Sequence, residues 1–185
     1  MSVGIEGSPY DAAISAELVK IHACGEGLYS SALVIVNGQI AYTTRVTGSG
    51  SGGTDTFLQL SQYTKGTDEY NEAKLSQTDS EVATLQDVWD MLSEGGVQGL
   101  PESVTIVLVC NIGPCNPCKK RLAAFRDKVV QLFPQAAVSV EVIYDQEGRS
   151  EFNTQRRGLP TTYGYPDLPG DDQLSDGTLV WRRKV

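Results

Sequence analysis

The chain has 185 residues, 40% of them hydrophobic and 21% charged, which fits one globular domain with a self-sufficient core and excludes wholesale disorder, collagen-like repeats and coiled coil. No apolar run approaches the roughly 18 residues of a membrane span. Met1 to Tyr10 lacks the basic and apolar regions of a signal peptide, so the expected location of the chain as it stands is the cytoplasm, with no membrane partner.

The formal charge of -8 is uneven: residues 1–100 hold 4 Lys/Arg against 13 Asp/Glu, and residues 101–185 hold 11 against 10. An acidic whole argues against nonspecific affinity for nucleic acid, while the second half leaves room for a local basic face on phosphates.

Ile14, Leu18 and Ile21 stand at helical spacing within Asp11 to His22, which predicts an amphipathic helix ending near Gly25 and Gly27. The apolar run Ala32 to Val36, the turn pair Asn37-Gly38 and the β-rich Gln39 to Val46 predict a hairpin. Thr47 to Thr54 (TGSGSGGT) reads as loop and the polar stretch Gln62 to Gln77 as an excursion with weak helical character; either is placed to gate a site. Val82, Leu85, Val88, Trp89 and Leu92 mark one face of a second helix, with Thr78 or Asp79 as N-cap and Gly95-Gly96 at its end. The unbroken run Val104 to Cys110 (VTIVLVC) predicts a strand covered on both faces, at the centre of the sheet.

Cys118, Leu122, Phe125, Val129 and Leu132 mark a third helix that Pro134 closes, and Val138 to Tyr144 is the next strand. Residues 10–145 thus read helix, hairpin, helix, strand, helix, strand. The expectation is a single α/β domain over 1–185, with a core at about 10–145. A Pro/Gly-rich C-terminal extension at about 146–185 carries one late strand, Thr178 to Arg182.

Four cysteines, Cys24, Cys110, Cys115 and Cys118, in a chain without a leader point to metal or redox chemistry rather than a disulfide scaffold. The single histidine, His22, removes any mechanism that needs two. Pro114-Cys115-Asn116-Pro117-Cys118 follows a buried strand and opens a helix, where two thiols spaced by two residues reach one metal and free N–H groups support thiolates. About 35 residues upstream, Asp79-Ser80-Glu81 opens another helix. Cys110, ending an apolar strand, reads as core.

With these two features the chain resembles the cytidine deaminase-like superfamily, and within it the bacterial toxin deaminases, over roughly residues 10–145. The family signature is H-x-E or C-x-E on one helix and P-C-x-x-C on the next. Pro114, Cys115 and Cys118 match the second half, and the surrounding GPCNPCKKRLAAF and VSVEVIY look like the toxin branch. The resemblance implies a three-layer sandwich with a mixed β-sheet and helices on both faces. It also implies one zinc held by Cys115, Cys118 and the residue at position 79, with Glu81 as the proton-transferring glutamate. The implied reaction is deamination of cytosine in DNA or RNA by the toxin domain of a bacterial antagonism system, delivered into a target cell's cytoplasm and neutralised by a cognate immunity protein.

The first half departs from the pattern, because Asp79 stands where the family has His or Cys. That leaves an atypical Asp-Cys-Cys site, a natural pseudoenzyme, or a sequence altered to blunt toxicity. An aspartate binds zinc through oxygen, but it is shorter than histidine and adds negative charge, so it acidifies a zinc-bound water less. On local grounds Asp79 is also an ordinary N-cap in an acid-rich first turn. Cys24-Gly25-Glu26 has the C-x-E form too, with His22 or Cys24 as alternative ligands, although it follows a helix instead of opening one. Lys119, Lys120 and Arg121 lie beside the site, as weak candidates for substrate phosphates or as a solvated first turn.

A strand running into C-x-x-C at a helix start also resembles thioredoxin. In that reading Cys115 is the nucleophilic thiolate, Cys118 resolves the mixed disulfide, Pro160 in Gly158-Leu159-Pro160-Thr161 shapes the groove, and Asp176-Gly177-Thr178 turns a late hairpin. Pro114 in place of the usual tryptophan, and a first hundred residues that thioredoxin does not need, count against it. A noncatalytic zinc-stabilised interaction module is the third class.

Overall fold

The computed structural model describes residues 8–50, 63–145 and 171–185 apart from 175. Helix α1 (Asp11–Ala23) buries Ile14, Leu18 and Ile21 along the stripe that the spacing predicts. Strands β1 (Tyr29–Val36) and β2 (Gln39–Thr43) form the hairpin, with Val36 opposite Gln39. Asn37 and Gly38 take φ of 50° and 80°, the left-handed pair that a two-residue turn needs. The Asn37 side chain does more than turn the chain: its Oδ1 accepts from the Glu102 and Ser103 amides at 2.8 and 3.1 Å, fixing the start of the next strand. A bulge at Val34/Ile35 shifts the hairpin register.

The loop expected from Thr47 is corrected at its start, since Thr47–Gly48 form a short strand, β3, paired with Ser30 and Tyr29. Residues 51–54 lie outside the described part. In the polar stretch expected to have weak helical character, α2 (Asp68–Ser76) is a full helix capped by Thr67, whose hydroxyl accepts from the Tyr70 amide. Helix α3 (Ser80–Ser93) and strand β4 (Ser103–Cys110) follow as expected, then α4 (Asn116–Leu132) and β5 (Ala137–Tyr144). Leu132 is an exception in its helix: it is exposed, and Phe133 takes the buried position. The late strand is β7 (Leu179–Lys184), and β6 (Asp171–Gln173), too short to show a period, pairs with it.

The strands run in the order β2-β1-β4-β5-β7-β6, with β3 beside β1. β4 and β5 are parallel, and β1 and β7 lie antiparallel on either side of them. Alternation along the strands divides the core. Ala32, Val34, Ile106, Leu108, Val140 and Val142 pack under α3 and α4, whereas Leu33, Ile35, Val107, Val109 and Ile143 pack under α1. The result is an α/β fold of three layers, with a mixed sheet between helices. β7 belongs to it, through Val180 in the α1-side core and Trp181 stacked on Tyr144 at 5.7 Å. Among the described residues no helix is long and apolar enough to cross a membrane.

Candidate metal centre

The carboxyl end of β4 lies beside the start of β1, with Cys110 opposite Ser30, and both helices over this part of the sheet begin here. Ligand sites in α/β folds gather at such strand ends. Asp79 is the N-cap residue of α3 and Cys115 that of α4, and neither side chain caps its own helix. They turn instead toward each other and toward Cys118, one turn into α4.

Asp79 Oδ2 stands 3.4 Å from Cys115 Sγ and 3.0 Å from Cys118 Sγ, and the two sulfurs are 3.3 Å apart. All three residues are buried, and their donor atoms lie within 4.8 Å of one another. None of the four cysteines is in a disulfide. Two thiols and a carboxylate converging on one point suit a borderline-soft divalent ion such as zinc. Around a tetrahedral zinc such donors stand roughly 3.6–3.8 Å apart, so the set fits after a small outward shift.

Glu81 is buried beside this group and accepts from Ser80 Oγ at 3.0 Å. Its charge is felt by the thiols. The Cys118 thiol is pushed well above its ordinary value, first by its hydrogen bond with Cys115, then by burial and by the charges of Cys115, Glu81 and Asp79. Burial, and Glu81 after it, do the same to Cys110. Asp79, Ser80, Glu81 and Cys115 line one pocket with Leu28, Tyr29, Asn111, Ile112 and Gly113. Its enclosed volume of about 20 Å³ has room for a water.

Two of the lining residues that sequence reasoning missed, Tyr29 and Asn111, lock this wall. Asn111 Nδ2 donates to the Gly27 carbonyl at 2.7 Å and its Oδ1 accepts from the Tyr29 amide at 3.0 Å. An asparagine just past the end of a buried strand, four residues before Cys115, was the available signal. Gly113 is required by close approach, because a Cβ there would come within 2.9 Å of the Tyr144 ring.

The structure brings Asp79, Glu81, Cys115 and Cys118 together and separates the other candidates from them. Cys24 is exposed at the end of α1 and donates to the Lys20 carbonyl at 3.3 Å, and His22 Nε2 meets Asp145 Oδ2 at 2.5 Å, so neither joins the metal group. Cys110 is core, as expected. Lys119 and Lys120 are half-buried. Arg121, considered above as a phosphate contact, is 1% exposed, and its guanidinium donates to Ser76 Oγ and the Ala73 carbonyl of α2. Pro160, which the thioredoxin reading needs, lies outside the described residues. Compared with protein-family models, with curated proteins and with solved structures, the chain matches none of them.

Proposed function

We propose that the chain is a zinc-dependent nucleobase deaminase acting on cytosine in DNA or RNA, akin to the bacterial toxin branch of the cytidine deaminase-like superfamily. The observation that carries this reading is the meeting of Asp79, Cys115 and Cys118 at the starts of α3 and α4, with Glu81 on the wall of the same pocket. The order of strands and helices that the resemblance implies is compatible with the three-layer fold.

Asp79, Cys115 and Cys118 would hold the ion, which when bound supplies Lewis acidity and lowers the pKa of a water. Hydrolytic deamination would add the oxygen of a water to the ring carbon bearing the amine and expel ammonia. Glu81 does the proton work: its carboxylate takes a proton from the water, delivers it to the ring nitrogen, and later protonates the departing amine. Asp79 in place of an imidazole makes the site more negative, so slow turnover is expected.

The 3.3 Å separation of the sulfurs also favours a thiol-disulfide oxidoreductase. Against that reading, both cysteines are buried, so the thiol that would attack a substrate disulfide is closed to solvent. Metal content of the purified chain, read together with uracil formation in cytosine-containing DNA and RNA oligonucleotides, decides between them. One zinc per chain with uracil produced supports the deaminase. Metal-free protein with a readily cycled Cys115–Cys118 disulfide replaces it with the redox reading, and zinc without turnover leaves the noncatalytic module.

A further inference from the structure

Arg121 is the largest fully buried side chain of the described residues, a cationic group at 1% exposure in the helix that carries both cysteines. Burying a guanidinium costs several kcal/mol of solvation unless its donors are matched, so what they engage is informative. Nε donates to Ser76 Oγ at 3.3 Å, and Nη2 donates to the Ala73 carbonyl. Both acceptors are in the last turn of α2, where Ser76 is itself 0% exposed and also bonds the Ala73 carbonyl at 3.2 Å.

The end of α2 then leads directly to the metal group. The Ser76 carbonyl accepts the Asp79 amide at 3.1 Å, across a tight corner between α2 and α3. On the α4 side Arg121 lies three residues after Cys118, which places the two on neighbouring turns of one helix face. Hydrogen bonds therefore link Arg121, on the helix that carries Cys118, to Ala73 and Ser76, and the Ser76 carbonyl to the backbone of Asp79. The other side of the corner is tied to the preceding loop, where the Gly50 amide donates to the Thr78 carbonyl at 2.7 Å and the Ser80 amide to Ser49 Oγ at 3.3 Å.

We infer that Arg121 is a positioning residue for the metal centre: it clamps α4 to the end of α2 and so holds the Asp79 carboxylate at the two thiols. The inference rests on the reading that Asp79, Cys115 and Cys118 hold a metal. The thiols are set three residues apart on one helix start and need no outside help to converge, whereas Asp79 arrives from a separate helix. Partners outside the ligand set commonly change metal affinity about 10–100-fold when removed. A clamp of this kind acts on the carboxylate donor alone.

Cobalt(II) is the probe, because its absorption reports thiolate ligation apart from affinity. Arg121→Gln should weaken cobalt binding about 10–100-fold while the thiolate-to-cobalt band at saturation persists. In an Asp79→Ala background the same change should alter affinity by no more than about twofold, because a residue that acts through Asp79 is non-additive with the loss of Asp79. Arg121→Lys, which keeps the charge but not the planar fork, should recover only part of the loss. Ser76→Ala removes one acceptor without touching the cation and carries the same comparison if Arg121→Gln does not fold. Unchanged affinity in Arg121→Gln and Ser76→Ala, or an equal loss with and without Asp79, overturns the inference alone. A wild-type chain that takes up no cobalt overturns the metal reading and the inference together.

Discussion

Asp79 occupies an N-cap position without capping, and that is the clearest sign that position 79 serves the site rather than its helix. An N-cap side-chain bond is typically worth about 1 kcal/mol, and here the carboxylate gives it up for two buried thiols. A neutral imidazole would ligate without adding charge to a site that already holds Glu81. Asp79→His should therefore raise both zinc affinity and uracil formation, with toxicity to the expressing cell as a secondary sign. No change in metal content or turnover would remove Asp79 from the ligand set. Glu81 is separable by a subtler substitution. Glu81→Gln keeps size and hydrogen bonding but cannot take and return a proton, so turnover in an active background should fall about a hundredfold or more with zinc retained. Near-full activity would take Glu81 out of the mechanism, whereas loss of zinc would make it a ligand.

The depth at which α3 sits on the sheet is set one turn after Glu81 by a buried pair. Ser30 Oγ and Thr84 Oγ1 are 2.8 Å apart, and the threonine hydroxyl also donates to the Ser30 carbonyl at 3.3 Å. Thr84→Val leaves the Ser30 hydroxyl stranded and should cost about 1–3 kcal/mol. Adding Ser30→Ala should return part of that loss, because two apolar groups of similar shape pack without an orphaned donor. Urea unfolding of both single variants and the double variant checks this, and strictly additive costs would show that the two hydroxyls do not depend on each other. Elements of this kind were legible where a period or a turn pair wrote them: the stripe of Val82, Leu85, Val88 and Leu92, the run Val104 to Cys110, and Asn37-Gly38. Cys115 and Cys118 were legible as a donor pair, because helix-start spacing constrains where two thiols point, while Asp79 was read as their partner through the resemblance to the deaminase signature. What could not be read was direction across the fold. Arg121 sits in a run of cations at a helix start, and no spacing says that it turns inward to α2. The three-residue β6 has no period, and the pairing of β7 with β5 depends on contacts far apart in sequence.

For the molecule as a whole, the thiols make stability depend on pH with a sign that metal should reverse. Cys110 and Cys118 are held above the ordinary thiol value of 9.0 in the metal-free fold, the first mainly by burial and the second by its hydrogen bond with Cys115 and then burial. Below about pH 9 the folded and unfolded chains both keep these protons, so these two groups add no slope. As the pH rises past that value the unfolded chain releases protons that the fold retains, and the metal-free protein should lose stability through the folded-state values. With zinc bound, the fold holds Cys118 as a thiolate while the unfolded chain is still protonated, so stability at fixed free zinc should climb with pH up to about 9. Cys118 alone contributes about 1.4 kcal/mol per pH unit to that climb. Urea unfolding at pH 7, 8, 9 and 10.5, with zinc and with a chelator, should give two profiles of opposite slope on either side of about pH 9. Cys118→Ser should flatten both, since serine does not titrate in this range, and an alkaline decline of unchanged size in Cys118→Ser and Cys110→Ala would assign it to other groups. A loaded protein whose stability is indifferent to pH between 7 and 9 would mean that no thiol proton is displaced by the metal, and Cys118 would lose its place as a ligand.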